Sequence, residues 1–323
     1  MSGGADRDAG SDPRSGFGWP PHGFGDDETT RKLLRSQPGV RAIAWASRQL
    51  GSRVISAEAL QGGMSSAVHL LELEPGGQVS QAVLRTYVRA DVVSEEPEIA
   101  LREARVLELL GPTAVPAPRL VAADATGEEA GVPAVLMTRV PGRVEWWAKD
   151  LDRFVSELAD LAVMIHSVEL LEPGRLIAFG KYEQSAYLPP RWATRPEIWE
   201  RAFEIFHGPA PAGDDLFIQR DFHPGNVLFS EGNVSGVVDW QAACTGLASV
   251  DVGHCRTNLY RFSLGVADRF RRAWESASGQ TFHPWGDIVS IIGALDVLST
   301  GEPGPYRRTV EESLARSVAE ILT

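Results

Sequence analysis

Hydrophobic and polar positions change rhythm twice along the chain. From Val40 to Leu50 apolar residues recur at helical spacing, and Arg53 to Leu60 reads as a strand. Ala67 to Leu73 and Gln81 to Tyr87 are β-type runs on either side of Pro75-Gly76-Gly77. A helix is predicted from about Glu98 to Leu110. Pro116 and Pro118 break the chain, and Val135 to Arg139 resumes an extended pattern after Gly131-Val132-Pro133. Past Pro141-Gly142 the rhythm becomes helical. Phe154, Leu158, Leu161, Ile165 and Val168 mark one long amphipathic helix, and further helices are expected over about 251–264, 266–277, 285–298 and 307–322.

These patterns predict an α+β protein of two lobes. Residues 1–30 are rich in Gly, Asp and Pro with almost no aliphatic side chains, and are expected to form a disordered tail. Residues 31–140 form a small sheet with one long helix, and residues 141–323 a mostly helical lobe. No internal repeat is visible.

Composition narrows the function without naming it. Apolar residues make up 43% of the 323 and charged residues 23%, as in ordinary globular proteins. A formal charge of −12 argues against nucleic acid, since no basic stripe is present to displace counterions. It suits a cationic acceptor, for which Asp214, Asp215, Asp268 and Asp287 are candidates, and equally a solvated surface. Two cysteines, Cys244 and Cys255, fit neither a zinc spacing nor a disulfide framework. No apolar run is long enough to span a membrane, and the N-terminus lacks a secretion signal. The expectation is a cytoplasmic protein with no membrane partner; the oligomeric state is left open.

The chemistry concentrates in Gln219-Arg220-Asp221-Phe222-His223-Pro224-Gly225-Asn226 and Val237-Val238-Asp239-Trp240. Asp221 follows an apolar strand-like run and sits in a loop that Pro224-Gly225 turns. Val227-Leu228-Phe229 and Val234 to Val238, joined by Ser230-Glu231-Gly232-Asn233, form a hairpin that returns Asp239 towards Asn226. Taken singly, each is an ordinary turn or capping residue. Together they supply a carboxylate to hold an attacking hydroxyl, and an amide and a carboxylate suited to Mg²⁺.

Arg220 to Leu228 resembles the catalytic loop of the aminoglycoside phosphotransferase and choline kinase family. Gly236-Val237-Val238-Asp239-Trp240 resembles that family's metal-binding segment. Arg102-Glu103, Val115 to Arg119, Leu136-Met137-Thr138-Arg139-Val140-Pro141-Gly142 and Asp251 to Leu259 extend the likeness over about 40 to 300. The resemblance implies a protein-kinase-like fold, ATP or GTP as donor, Mg²⁺ as cofactor and a small-molecule hydroxyl as acceptor. It implies Asp221 as the catalytic carboxylate and Asn226 and Asp239 as metal ligands. Arg85 then contacts nucleotide phosphate, and Met137 belongs to the nucleotide-binding set. Asp251 braces the catalytic loop, or caps its helix.

Two readings come from the residues themselves. Glu103 falls on the apolar stripe of its helix, where a carboxylate needs a partner, and Arg85 is the natural one. The turn Gln61-Gly62-Gly63-Met64-Ser65-Ser66 lies between strands, where Gly63, Ser65 and Ser66 can hold phosphate through backbone N–H groups and hydroxyls. His166, His254 and Cys255 are read as packing residues. Gln219 replaces the family's His, and Gln241 the commoner Glu. Gln219 and Arg85 keep open a second reading, a pseudokinase that binds nucleotide or a partner without catalysis.

Overall fold

The computed structural model describes residues 28–60, 65–75, 80–146, 148–170, 174, 176–299 and 304–323. Gly63 lies outside them, as does the proposed tail up to residue 27. Glu28 to Thr30, counted with that tail by composition, instead open a helix, α1 (Glu28–Leu34), whose Glu28 and Lys32 pair at i,i+4.

Helix α2 (Val40–Leu50) ends at Gly51, which takes the left-handed conformation that closes a helix with least strain in glycine. The chain then builds β1 (Val54–Ala59), β2 (Ala67–Leu73) and β3 (Gln81–Thr86). Two helices follow, α3 (Ala90–Glu95) and α4 (Ile99–Leu110), and then β4 (Leu120–Asp124) and β5 (Ala134–Thr138). All neighbours are antiparallel, in the order β1-β2-β3-β5-β4. Alternation buries both faces of this sheet. Leu71, Leu84 and Leu136 pack on Trp45 and Ala46 of α2, whereas Val135 and Met137 join the core that contains α4.

After a two-residue strand, β6 (Arg143–Val144), come α5 (Leu151–His166) and α6 (Pro196–His207). Four short strands then bracket the motif: β7 (Leu216–Ile218), β8 (Val227–Ser230), β9 (Asn233–Val237) and β10 (Cys244–Gly246). The hairpin β8–β9 forms as expected, with β6 on its outer edge, and β7 pairs with β10. The remaining helices are α7 (Ala248–Leu259), α8 (Leu264–Ser278), α9 (Trp285–Gly293), α10 (Leu295–Leu298) and α11 (Pro305–Leu322). The single helix expected over 285–298 is thus interrupted at Gly293-Ala294.

Helix α7 is buried on every side, and it crosses α9 where two glycines meet. A Cβ on Gly253 would overlap the backbone of Gly286, so only glycine permits this approach. The crossing sets the position of everything α7 carries towards the Asp221 loop. No helix among the described residues is long and apolar enough to cross a membrane.

Candidate active site

The loop after β7 is held by one buried carboxylate. Asp251, in the first turn of α7, accepts the backbone N–H of Gln219 at 2.8 Å and of Arg220 at 2.7 Å. Leu247 occupies the cap position, so the alternative of Asp251 as helix cap gives way to the brace. His166 Nε2 lies 3.3 Å from Asp251, and Trp274 donates to His166 Nδ1 at 3.2 Å. His166 is therefore a satisfied core histidine. Arg220 takes φ 68°, a left-handed conformation uncommon outside glycine, and the two bonds from Asp251 hold the loop in it.

Asp221 is gripped from both sides. Asn226, in a short 3-10 turn over Pro224–Asn226, donates through Nδ2 to Asp221 Oδ2 at 3.0 Å and to the Asp221 carbonyl at 2.9 Å. His254 Nε2 lies 3.1 Å from Oδ1, with His223 Nε2 at 3.7 Å. Burial pushes the Asp221 carboxyl up, but His223 and His254 outweigh it and hold the group well below the ordinary carboxylate range. The packing role expected for His254 is thus corrected: it faces the loop carboxylate. Cys255 beside it is buried as expected. Periodicity missed His254 because α7 has no exposed face to set direction; its place one turn after Asp251 was the available signal.

Asp239 follows β9. Val238 N–H donates to the Asn226 carbonyl at 2.9 Å, which brings the two ends of the hairpin together. Asp239 also takes positive φ, 67°. Trp240 anchors it from behind: fully buried, stacked on Phe217, it donates to the Val237 carbonyl at 3.0 Å. With Asn226 Nδ2 committed to Asp221, its Oδ1 is left as a neutral oxygen donor, and the Asp239 carboxylate is a charged one. That donor chemistry fits a hard divalent cation.

The sheet contributes a buried ion-pair relay. Arg85 Nη1 lies 3.3 Å from Glu103 Oε1 and 2.7 Å from Asp239 Oδ1. Tyr87 donates to Glu103 Oε2 at 2.9 Å. The expected strand–helix pair is present, and it reaches further than expected, onto the Asp239 segment. Burial raises the Glu103 carboxyl despite the opposing pull of Arg85. Ser65 and the Gln241 amide are hydrogen-bonded, so the turn contacts the segment after Trp240. Ser66 is buried, and its hydroxyl has no partner among the described residues. Met137 lies on β5 within the core, paired with Val83 across the sheet.

Gln219 Nε2 donates to the Val238 carbonyl at 2.7 Å, which ties the loop to the segment before Asp239. Two of the acidic residues offered for a cationic acceptor are engaged elsewhere: Asp287 is buried against Arg256 at 2.9 Å, and Asp268 pairs with the same arginine at 3.1 Å. Asp214 and Asp215 are exposed.

Comparison with known proteins bears on the fold and the family. A 193-residue stretch is 30% identical to homoserine kinase of Gluconacetobacter diazotrophicus, covering 53% of this chain and 56% of that protein. The chain therefore spans little more than half the length of that curated relative. Macrolide 2'-phosphotransferase MphH of Brachybacterium faecium superposes with a TM-score of 0.56 at 17% identity, over 84% of this chain and 97% of that one. A thermostable mutant of aminoglycoside phosphotransferase APH(4)-Ia, complexed with ADP and hygromycin B, gives 0.54 at 15% identity, over 87% and 96%. These likenesses show the two-lobed, protein-kinase-like fold. The model of the phosphotransferase enzyme family, APH, matches residues 56–285, and the chain belongs to that family.

Proposed function

We propose that the protein is an ATP- and Mg²⁺-dependent phosphotransferase that moves the γ-phosphoryl group to a hydroxyl of a small molecule. The observation that carries this reading is the linkage of Asp221, Asn226 and Asp239: one amide grips the first carboxylate, and one backbone bond draws the other two together. In this reading Asp221 orients the acceptor hydroxyl and takes its proton as the new O–P bond forms and the bond from the γ-phosphorus to the bridging oxygen breaks, releasing ADP. Asn226 Oδ1 and Asp239 hold Mg²⁺, which neutralises phosphate charge when bound. Arg85, set by Glu103, binds phosphate, and the turn with Gly63, Ser65 and Ser66 covers it. Catalysis then rests on alignment and electrostatics, the terms that dominate phosphoryl transfer. GTP offers the same phosphates as ATP, so these contacts serve either donor. Buried free thiols at Cys244 and Cys255 suit a reducing cytoplasm.

The pseudokinase alternative drew on Gln219 and Arg85. Both are engaged with the Asp239 segment, which supports a working site over a relic. The named relatives act on unlike alcohols, so the acceptor is proposed by class only. Calorimetric titration of ATP with Mg²⁺ into wild type and Asp239→Ala is the first test, with binding expected in wild type and sharply weakened in the variant. A panel including homoserine, a macrolide and hygromycin B then follows, read by phosphorus NMR. Asp221→Asn is expected to abolish transfer, by about 10²–10⁴-fold or more, and to spare nucleotide binding. Turnover retained in Asp221→Asn removes Asp221 from the mechanism, and no nucleotide binding in wild type overturns the reading.

A further inference from the structure

The geometry points to His254 as a positioning residue that fixes the Asp221 carboxylate, so that one face of α7 sets both backbone and side chain of the same loop. This inference rests on the phosphotransferase reading. Asp251 holds the backbone of Gln219 and Arg220; His254, one turn later, meets Asp221 Oδ1 at 3.1 Å. Asn226 already holds Oδ2 at 3.0 Å. A carboxylate gripped at one oxygen still turns about its last torsion. The contact at Oδ1 stops that turn and leaves the remaining lone pairs for an incoming hydroxyl.

Tautomers decide which atoms donate. His223 Nδ1 accepts the Gly225 N–H at 3.0 Å, so in the neutral ring its proton sits on Nε2. That ring stacks on Trp146 with centroids 5.9 Å apart, and its Nε2 stands 3.7 Å from Asp221, too far for a strong bond. His254 is the shorter contact. An ionised carboxylate only accepts, so His254 Nε2 must carry hydrogen; Nδ1 meets Ser290 Oγ at 3.4 Å, and accepts from it in the neutral ring.

Asp221, His223 and His254 also place three ligand atoms within 4.8 Å of one another, the outline of a cation site. Binding a cation through His223 Nε2 would require the Nδ1 atom that Gly225 occupies to carry the proton. The cluster is therefore read as a hydrogen-bonded clamp.

The support behind His254 is specific. Ser290 lies one turn after Gly286, and His254 directly follows Gly253, the glycine against which Gly286 packs. The close helix crossing thus delivers the serine to the far side of the imidazole.

The test uses the full chain and MgATP hydrolysis, with water as the acceptor, so that no acceptor need be known. Glutamine places an amide nitrogen where histidine has Nε2; asparagine is one bond too short. We expect His254→Gln to keep kcat within about threefold, while His254→Asn and His254→Phe lose about tenfold or more with KM for MgATP unchanged. A wild-type kcat in both Asn and Phe variants, or equal loss in all three, overturns the assignment. Nitrogen-15 spectra of imidazole-labelled protein provide a second readout, independent of turnover. They should show a proton on Nε2 of His254, and an Nε2 without a proton would sink the clamp. If wild type neither binds nor hydrolyses MgATP while that proton is present, the clamp stands and the phosphotransferase reading falls.

Discussion

Gln219 Nε2 and the Val238 carbonyl stand 2.7 Å apart, joining the residue two before Asp221 to the residue just before Asp239. Gln219 is buried and Val238 half-buried, and the Gln219 Oε1 atom has no partner among the described residues. Replacing Gln219 by Leu leaves the Val238 carbonyl unpaired, at a cost of about 1–3 kcal/mol in stability, with lower turnover as the two segments lose register. Gln219→His offers a ring nitrogen at similar reach and is expected to equal or exceed wild-type turnover. Thermal unfolding and steady-state kinetics on the two variants check this; a large loss in Gln219→His would assign the amide a role of its own.

Glu103 is buried with Arg85 and Tyr87 as its partners. Glu103→Gln removes a charge that Arg85 needs, and breaking a buried pair costs about 3–5 kcal/mol. Asp239 still faces the guanidinium, so the loss should fall at or below the lower end of that range. Chemical denaturation measures it. An unchanged midpoint would mean that Asp239 alone satisfies Arg85.

Glu311 on α11 organises the start of α6. Its carboxylate accepts from Thr194 N–H at 2.9 Å, Arg195 N–H at 3.2 Å, Trp199 Nε1 at 3.0 Å and the Thr194 hydroxyl. Burial pushes this carboxyl up, but the donors overcome it and hold it below the ordinary range. The folded value lies beneath the unfolded one, so the stabilisation is present above about pH 4.3 and is lost as pH falls through the folded value. Glu311→Gln should cost about 1.5–3 kcal/mol at neutral pH, with the gap to wild type closing in acid. Urea unfolding at several pH values tests the sign: a gap that widens in acid would contradict it.

Gly253 admits no side chain. In Gly253→Ala the methyl group meets the backbone of Gly286, which cannot swing aside as a flexible side chain would. Overpacking of this kind costs about 1–3 kcal/mol, and here it also moves His254 relative to Ser290. Stability and turnover should fall together. A variant as stable and active as wild type would show that α7 and α9 separate freely.

Much of this arrangement was readable from local pattern. Asp221, Asn226 and Asp239 are close in sequence, and the hairpin between them is written in alternating apolar runs and a turn. Glu103 announced itself as a charge on an apolar stripe, and the stripe is buried as expected. What escaped depends on long-range placement. The Arg85–Asp239 contact joins residues 154 positions apart, and no periodicity reports it. His254 lies on a helix buried all round, whose apolar pattern is too uniform to give direction. Helix α6 was open to inspection: Pro196 stands at its start, and Trp199, Phe203 and Phe206 follow at helical spacing. Strand β4 is five residues with mixed exposure, and it is recognisable only beside β5.

Two of the contacts described above reach the segment that follows β9, one from strand β3 and one from the residues before β2: Arg85 to Asp239, and Ser65 to Gln241. Under the proposed assignment, a metal–nucleotide complex must compete for a carboxylate that already has a cationic tenant. Its measured affinity is then a difference, the new coordination minus the surrendered ion pair. Such a site favours a ligand that brings its own positive charge to Asp239 and its own negative charge to Arg85. A nucleotide carrying Mg²⁺ satisfies both at once, whereas the metal-free nucleotide leaves the aspartate facing phosphate. The ion pair thus acts as a selector for the complete complex.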